Sequence, residues 1–181
     1  MEFLSALWMP ILVSAVLVWI ASFLCHMVLP HHKSEFKELP DEDKFNVGLE
    51  GTPPGLYMFQ WCNPAQMNDP DKKARIAKGP NGVLAIWPGP VKMGENLILT
   101  LLFYIVVGVF VGYIGWHSID PGSTYLERFR ICGAVAFAAH GLGWMSFFIW
   151  FKFGKFWPNL FDSIVYALIT AGTFAWLWPK T

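Results

Sequence analysis

The chain has 181 residues, of which 55% are hydrophobic, 17% aromatic and only 14% charged, with a formal net charge of zero. A soluble domain carries about 25% charged residues; here the deficit falls in long uncharged runs, the composition of an all-α membrane protein. Neutrality excludes a global field for nucleic acid, and three cysteines without a C-x-x-C pair exclude a thiolate zinc or iron–sulfur framework.

Four spans are expected, at about 3–29, 96–116, 131–151 and 160–178. Each meets the roughly 20-residue length needed to cross a bilayer core. The first lacks a basic leader and a small-residue cleavage site, so it reads as a retained helix rather than a secretory signal. At about 1.5 Å per residue it reaches beyond the hydrocarbon and has to tilt or protrude. Pro10 lies in its first third and Pro30 stops it.

Residues 30–93 form one large polar loop. It opens with the mixed-charge stretch HHKSEFKELPDEDK. GLYMFQW, bounded by Pro54-Gly55 and Asn63-Pro64, reads as a strand. Asp69-Pro70 reads as a helix cap with proline at the first helical position, opening the basic turn DKKARIAK. Gly79-Pro80-Asn81-Gly82 is a turn leading to a second strand, VLAIW. The expected fold is thus a four-transmembrane-helix bundle with a small loop cap containing a short β-hairpin.

With four spans, the large loop and the 152–159 turn share a side. Ten of the thirteen lysines and arginines fall there, and Arg128, Arg130 and Lys180 fall on the other. The positive-inside rule then places the 30–93 loop in the cytoplasm and both termini outside. Trp8, Trp116, Trp176 and Trp178 mark one interface, and Trp150 and Trp157 the other, as an aromatic belt.

Polar groups inside a membrane are expensive and mark sites worth testing. His140 lies near the centre of the third span. Matching helix rise places Ser14, Tyr104 and Thr170 at its level, so that Tyr104 or Thr170 can share a hydrogen bond with it. His26 and His117 do not match that depth, which disfavours a bis-histidine haem. Ala136-x-x-x-His140 resembles the A-x-x-x-H pattern of bacterial antenna polypeptides. At the interface, His31 and His32 are adjacent and lie past Pro30, so they cannot share a helix face as the histidines of HExxH do. Beside lysines, His26, His31 and His32 read as solvated, and Glu95 and Asp162 read as helix N-terminal charges. Cys25 and Cys132 read as small hydrophobes. No metal ligand and no catalytic residue is assigned. P-loop, dinucleotide and G-x-S-x-G patterns are absent from the sequence.

Small residues form stripes on three spans: Gly108-x-x-x-Gly112 with Gly115, then Gly133, Ala136 and Gly143, then Ala167, Ala171 and Ala175. They permit close helix approach, within the bundle or against another subunit.

The stretch His26-Met27-Val28-Leu29-Pro30, with Leu39-Pro40-Asp41-Glu42-Asp43, Gly55-Leu56-Tyr57-Met58-Phe59 and Gly79-Pro80-Asn81-Gly82, resembles a group of small bacterial membrane proteins of unknown function. The resemblance covers the first span and most of the loop. It implies a four-span layout and a bacterial inner-membrane location, and it carries over no catalytic residue.

Three functional expectations follow. One is a non-enzymatic structural or accessory subunit of a larger respiratory or photosynthetic complex, contacting the lipid bilayer and other membrane subunits. The alternative is a cofactor-, pigment- or quinone-binding protein using His140, with Tyr104 and Thr170 beside it and Trp19 and Trp144 as aromatic walls. A small-molecule carrier is a third reading. The sequence names no cofactor.

Overall fold

The computed structural model describes residues 2–179. Helix α1 spans Glu2–Phe23, running through Pro10, and a wider π-helical turn over Leu24–Val28 prolongs it. Pro30 ends it. A residue before proline is pushed out of the helical region, and Leu29 is extended at ψ 144°. Proline is well suited to open a new turn, and a single 3-10 turn, Pro30–His32, follows at once.

The polar segment contains α2 (Glu42–Leu49), β1 (Gly55–Phe59), α3 (Pro70–Lys78) and β2 (Gly82–Ile86). The strands pair antiparallel, with Tyr57 opposite Leu84 and Phe59 opposite Gly82. They are the two strands expected from the sequence, joined through α3. Asp69 caps α3 by accepting from the Asp71 N–H at 2.9 Å. Helix α2 is an addition to the expected elements, started by Asp41, which accepts from the Lys44 N–H at 3.1 Å. Lys37–Val91 is a compact unit of its own. None of its residues is buried, and a two-stranded sheet without a core is marginal.

Helix α4 spans Met93–Ser118. The third crossing consists of α5 (Tyr125–Phe137), a second π-helical turn (Ala138–Leu142) and α6 (Gly143–Phe151); α7 (Phe156–Leu177) is the fourth. The third crossing starts at Tyr125 rather than Ile131 because a reciprocal cap begins it. The Thr124 N–H donates to Glu127 Oε2 at 2.7 Å, and the Glu127 N–H donates to Thr124 Oγ1 at 3.4 Å. Arg128 and Arg130, which cut the hydropathy signal short, lie in the first turns of this helix, where long stems carry their charge toward water.

The four crossings, Glu2–Val28, Met93–Ser118, Tyr125–Phe151 and Phe156–Leu177, have mean hydropathies of 2.3, 2.6, 1.5 and 1.5 over their most apolar stretches. The chain is an integral, multi-pass membrane protein built as an all-α four-helix bundle. Helix α1 packs on α4 and α7, and α5 packs on the same two, closing a ring. Leu7, Ile11, Val111, Cys132, Ala136 and Phe174 fill its centre. Leu12, Val16, Phe110, Ile149 and Leu168 face outward. An apolar belt of this size is an aggregation hazard in water and is at home in lipid, where the helices satisfy their own backbone.

Most of the small-residue stripes are filled within this ring; Gly143 alone among their glycines faces open space. A Cβ on Gly108 would stand 3.3 Å from the Ile11 carbonyl oxygen, and one on Gly133 would stand 3.1 Å from the Ala171 Cβ. Gly112 faces Leu7, Ile11 and Phe174. These glycines join α4 to α1 and α5 to α7. Trp178, expected in the aromatic belt, is instead drawn inside over Gly115, at 9% exposure. Trp8, Trp150, Trp157 and Trp176 remain outward.

The Gly108 contact yields a prediction. Gly108→Val forces α1 and α4 apart and is expected to destabilise the detergent-solubilised protein by about 1–3 kcal/mol, read as a lower thermal midpoint. Gly143→Ala, where a Cβ meets nothing within 4 Å, leaves the midpoint unchanged or raised.

Candidate metal centre

At one end of the bundle, two chain reversals bring distant polar residues together. The π-helical turn and Pro30 turn the chain back over the end of α1, so that His26, His31 and His32 gather within seven residues. On the other side, α7 presents Asp162 from its second turn, on the same helical face as Tyr166, four residues later.

Asp162 is buried at 4% exposure, and both of its carboxylate oxygens are engaged. Oδ1 lies 2.8 Å from His31 Nε2, and Oδ2 lies 2.9 Å from His32 Nε2. The Tyr166 hydroxyl donates to Oδ2 at 3.3 Å. His26 Nδ1 is 3.7 Å from Oδ2 and also 3.0 Å from the Ser22 carbonyl oxygen. The His26 and His32 rings stack with centroids 4.3 Å apart and planes 9° from parallel. Burying a carboxylate without partners is prohibitive; three imidazoles and a phenol supply them.

A second layer holds the first. His32 Nδ1 lies 2.9 Å from Glu35 Oε1, off hydrogen-bond alignment, so this buried nitrogen has a charge partner without an aligned acceptor. Glu35 Oε1 in turn accepts from the Lys155 N–H at 3.0 Å and from Asn159 Nδ2 at 3.1 Å. Lys155 Nζ donates to Ser34 Oγ at 2.6 Å. Burial disfavours a charged His32 ring, but the hydrogen bond to Asp162 and the close carboxylates of Glu35 and Asp162 outweigh it and raise its pKa above the ordinary value.

Two sets of three donor atoms lie within 4.8 Å of one another: His26, His32 and Asp162, and Cys25, His31 and Asp162. In a tetrahedral site with bonds near 2.1 Å, ligand atoms stand about 3.4 Å apart. Small side-chain rotations therefore close either set on an ion. Imidazole with carboxylate or thiolate suits zinc, copper, iron or nickel rather than calcium or magnesium. The arrangement of His32 also fits a ligand: one ring nitrogen faces the centre and the other faces a carboxylate that fixes the ring.

The structure corrects three sequence expectations here. His32 is buried at 8% and His31 is part-buried, so neither is simply solvated; only His26 is largely exposed. Asp162 lies beyond the first turn of α7 and serves the histidines instead of the helix terminus. Glu95 does lie in the first turn of α4, where it pairs with Lys92 at 3.0 Å, exposed and apart from the cluster.

The residues expected around His140 separate into two groups. His140 occupies the second π-helical turn, with its ring against Tyr104 and Tyr166 at centroid distances of 5.7 Å each. These are edge contacts in place of the expected hydrogen bonds. Thr170 donates back along its own helix to the Tyr166 carbonyl oxygen at 2.9 Å, and Ser14 does the same to Ile11 at 3.1 Å. Trp144 donates to Ser163 Oγ at 3.2 Å, and Trp19 to the Leu97 carbonyl oxygen at 3.0 Å. Tyr104 thus reaches the His140 ring, while Thr170, Trp144 and Trp19 have other hydrogen-bond partners. Tyr166, Glu35 and the ligand role open to Cys25 went unread in the sequence. The four-residue spacing of Asp162 and Tyr166 and the three-residue spacing of His32 and Glu35 were the available signals.

No family model, curated protein or solved structure matches the chain, so no residue role is carried over from a relative.

The cluster predicts unequal costs for two acidic residues. Asp162→Asn in metal-free protein leaves buried imidazoles facing a neutral amide and is expected to cost about 3 kcal/mol. Glu95→Gln, at an exposed pair, costs less than about 1 kcal/mol. Thermal denaturation in the same detergent compares them.

Proposed function

We propose that this chain is a membrane-embedded metal-binding protein whose centre is formed by His26, His32 and Asp162 at one end of the bundle. The observation that carries this reading is the convergence of three histidines on one buried carboxylate, with each carboxylate oxygen within 2.9 Å of an imidazole nitrogen. An ionised carboxylate has about four acceptor sites; here two imidazoles bond to it, a third stands 3.7 Å away, and one of the three is backed by a second carboxylate. That donor set matches a transition-metal site. The His26 side chain is 53% exposed, which leaves the ion a path to it from outside the bundle.

The test is metal binding by full-length protein purified in detergent without a histidine tag. After loading with Co²⁺ and dialysis, at least one ion per chain is expected by elemental analysis, with visible d–d absorption. His32→Ala and Asp162→Ala are expected to weaken binding by at least tenfold, in line with the loss of a ligand or its outer partner. Retention of well under one ion per chain by folded wild-type protein overturns the reading.

His140 supports a second reading, a bound pigment or quinone. It rests on a mid-span ring in a widened helical turn that contacts Tyr104 and Tyr166 only through aromatic edges. Protein prepared from native membranes then carries a chromophore or extractable quinone that His140→Phe removes; an empty extract from intact wild-type protein rejects it.

We further propose that the 30–93 loop is cytoplasmic, following the lysine and arginine bias. The contacts of Ser34 and Glu35 with Lys155 and Asn159 support a shared side for the loop's start and the 152–159 turn. Cys62, part-exposed in the loop, reports on this, because Cys25 and Cys132 are buried. A membrane-impermeant maleimide is expected to label Cys62 in inverted vesicles and not in intact cells; the reverse pattern inverts the topology.

A further inference from the structure

We infer that the centre holds two transition-metal ions, bridged by Asp162, with Cys25 and His31 forming the second position. This rests on the metal-centre reading above and extends it. The two sets of donors meet only at Asp162. His31 lies on Oδ1, while His26 and His32 lie on Oδ2. One carboxylate thereby presents a separate oxygen to each set, the arrangement of a bridging ligand, and bridged ions commonly stand about 3.5–4 Å apart.

The two positions differ in chemistry. The first has two imidazoles and an oxygen, beside the exposed His26 ring. The second has an imidazole, an oxygen and the sulfur of Cys25, which is buried at 4% exposure. Thiolate is the softer donor and favours zinc or copper. Charge is also consistent with two ions. Asp162, Glu35 and a Cys25 thiolate supply three negative charges near two dications, leaving one to be offset by an exogenous anion. Each ion has three protein donors, the number that leaves a fourth tetrahedral position open. Water, hydroxide or another small oxygen-donor anion is the class of ligand that fits there. Tyr166, on Oδ2, is placed to orient the bridging carboxylate from outside the coordination sphere.

Cobalt titration of the detergent-solubilised full chain, followed by elemental analysis after dialysis, decides the matter. Wild-type protein is expected to retain about two ions per chain and to show a thiolate-to-cobalt charge-transfer band in the near ultraviolet. Cys25→Ala is expected to retain about one ion and lose that band. His26→Ala is expected to weaken the other position and keep the band. About one ion in wild-type protein overturns the two-ion inference and leaves the simpler centre standing. Two ions retained by Cys25→Ala, with the absorption unchanged, overturn the assignment of Cys25. No retained ion in folded wild-type protein removes both readings. The wild-type stoichiometry decides between one ion and two without requiring any variant to fold.

Discussion

A carboxylate shut away from water at the end of a lipid-embedded bundle has to be paired, and the pairing of Asp162 organises everything around it. Its partners cannot come from its own helix alone, because Tyr166 is the only polar side chain there shown to reach it. They come from the segment just past α1, which Pro30 has turned back toward the bundle. The ion pairs and hydrogen bonds therefore tie the first and fourth crossings together where the packed glycine contacts do not reach. Removing the carboxylate exposes the histidines to the same problem in reverse: buried polar rings without an anion.

The second layer shows how the arrangement is held in register. Glu35 accepts from a backbone N–H and from an asparagine that belong to the connection between α6 and α7. Lys152 adopts a left-handed conformation at φ 57° and Gly154 a positive φ of 71°. Such turns are tolerated readily by glycine and less so by lysine. The connection that starts α7 thus also fixes the acid that fixes His32. A metal centre benefits from this rigidity, since ligands held in place lose less freedom when the ion arrives.

The two π-helical turns mark the two histidine regions, Leu24–Val28 around His26 and Ala138–Leu142 around His140. A π turn inserts an extra residue into the helical cycle and redirects the side chains near it, and such turns are frequent at functional sites. Tyr166 stands between the regions, hydrogen-bonded to Asp162 and in edge contact with His140. The mid-span histidine singled out by its cost in lipid and the carboxylate that gathers the interfacial histidines are therefore neighbours of one tyrosine. Of the small-residue stripes, Gly108, Gly112, Gly115 and Gly133 are taken up by packing between crossings, while Gly143 stays open.

Sequence alone determined the features governed by local chemistry. Four apolar runs of sufficient length, only the last of them holding a charged residue, Asp162, have to cross lipid because no other solvent suits them. Asp69-Pro70 capped a helix, and the aromatic runs around Tyr57 and Leu84 became strands, because backbone preference and side-chain pattern agreed there. The glycine stripes announced close helix approach, but not which helix would approach. Tertiary structure decided the site. His31 and His32 lie 131 and 130 residues from Asp162, and nothing in hydropathy or spacing specifies which face of one crossing meets which turn of another. Regular helix rise matches Tyr104 in depth to His140, and their rings meet edge to face; rise does not specify side-chain partners, and the Thr170 hydroxyl takes the nearest carbonyl of its own helix. Convergence depends on helix rotation and on the exit path set by Pro30, and those are fixed only when the four crossings pack.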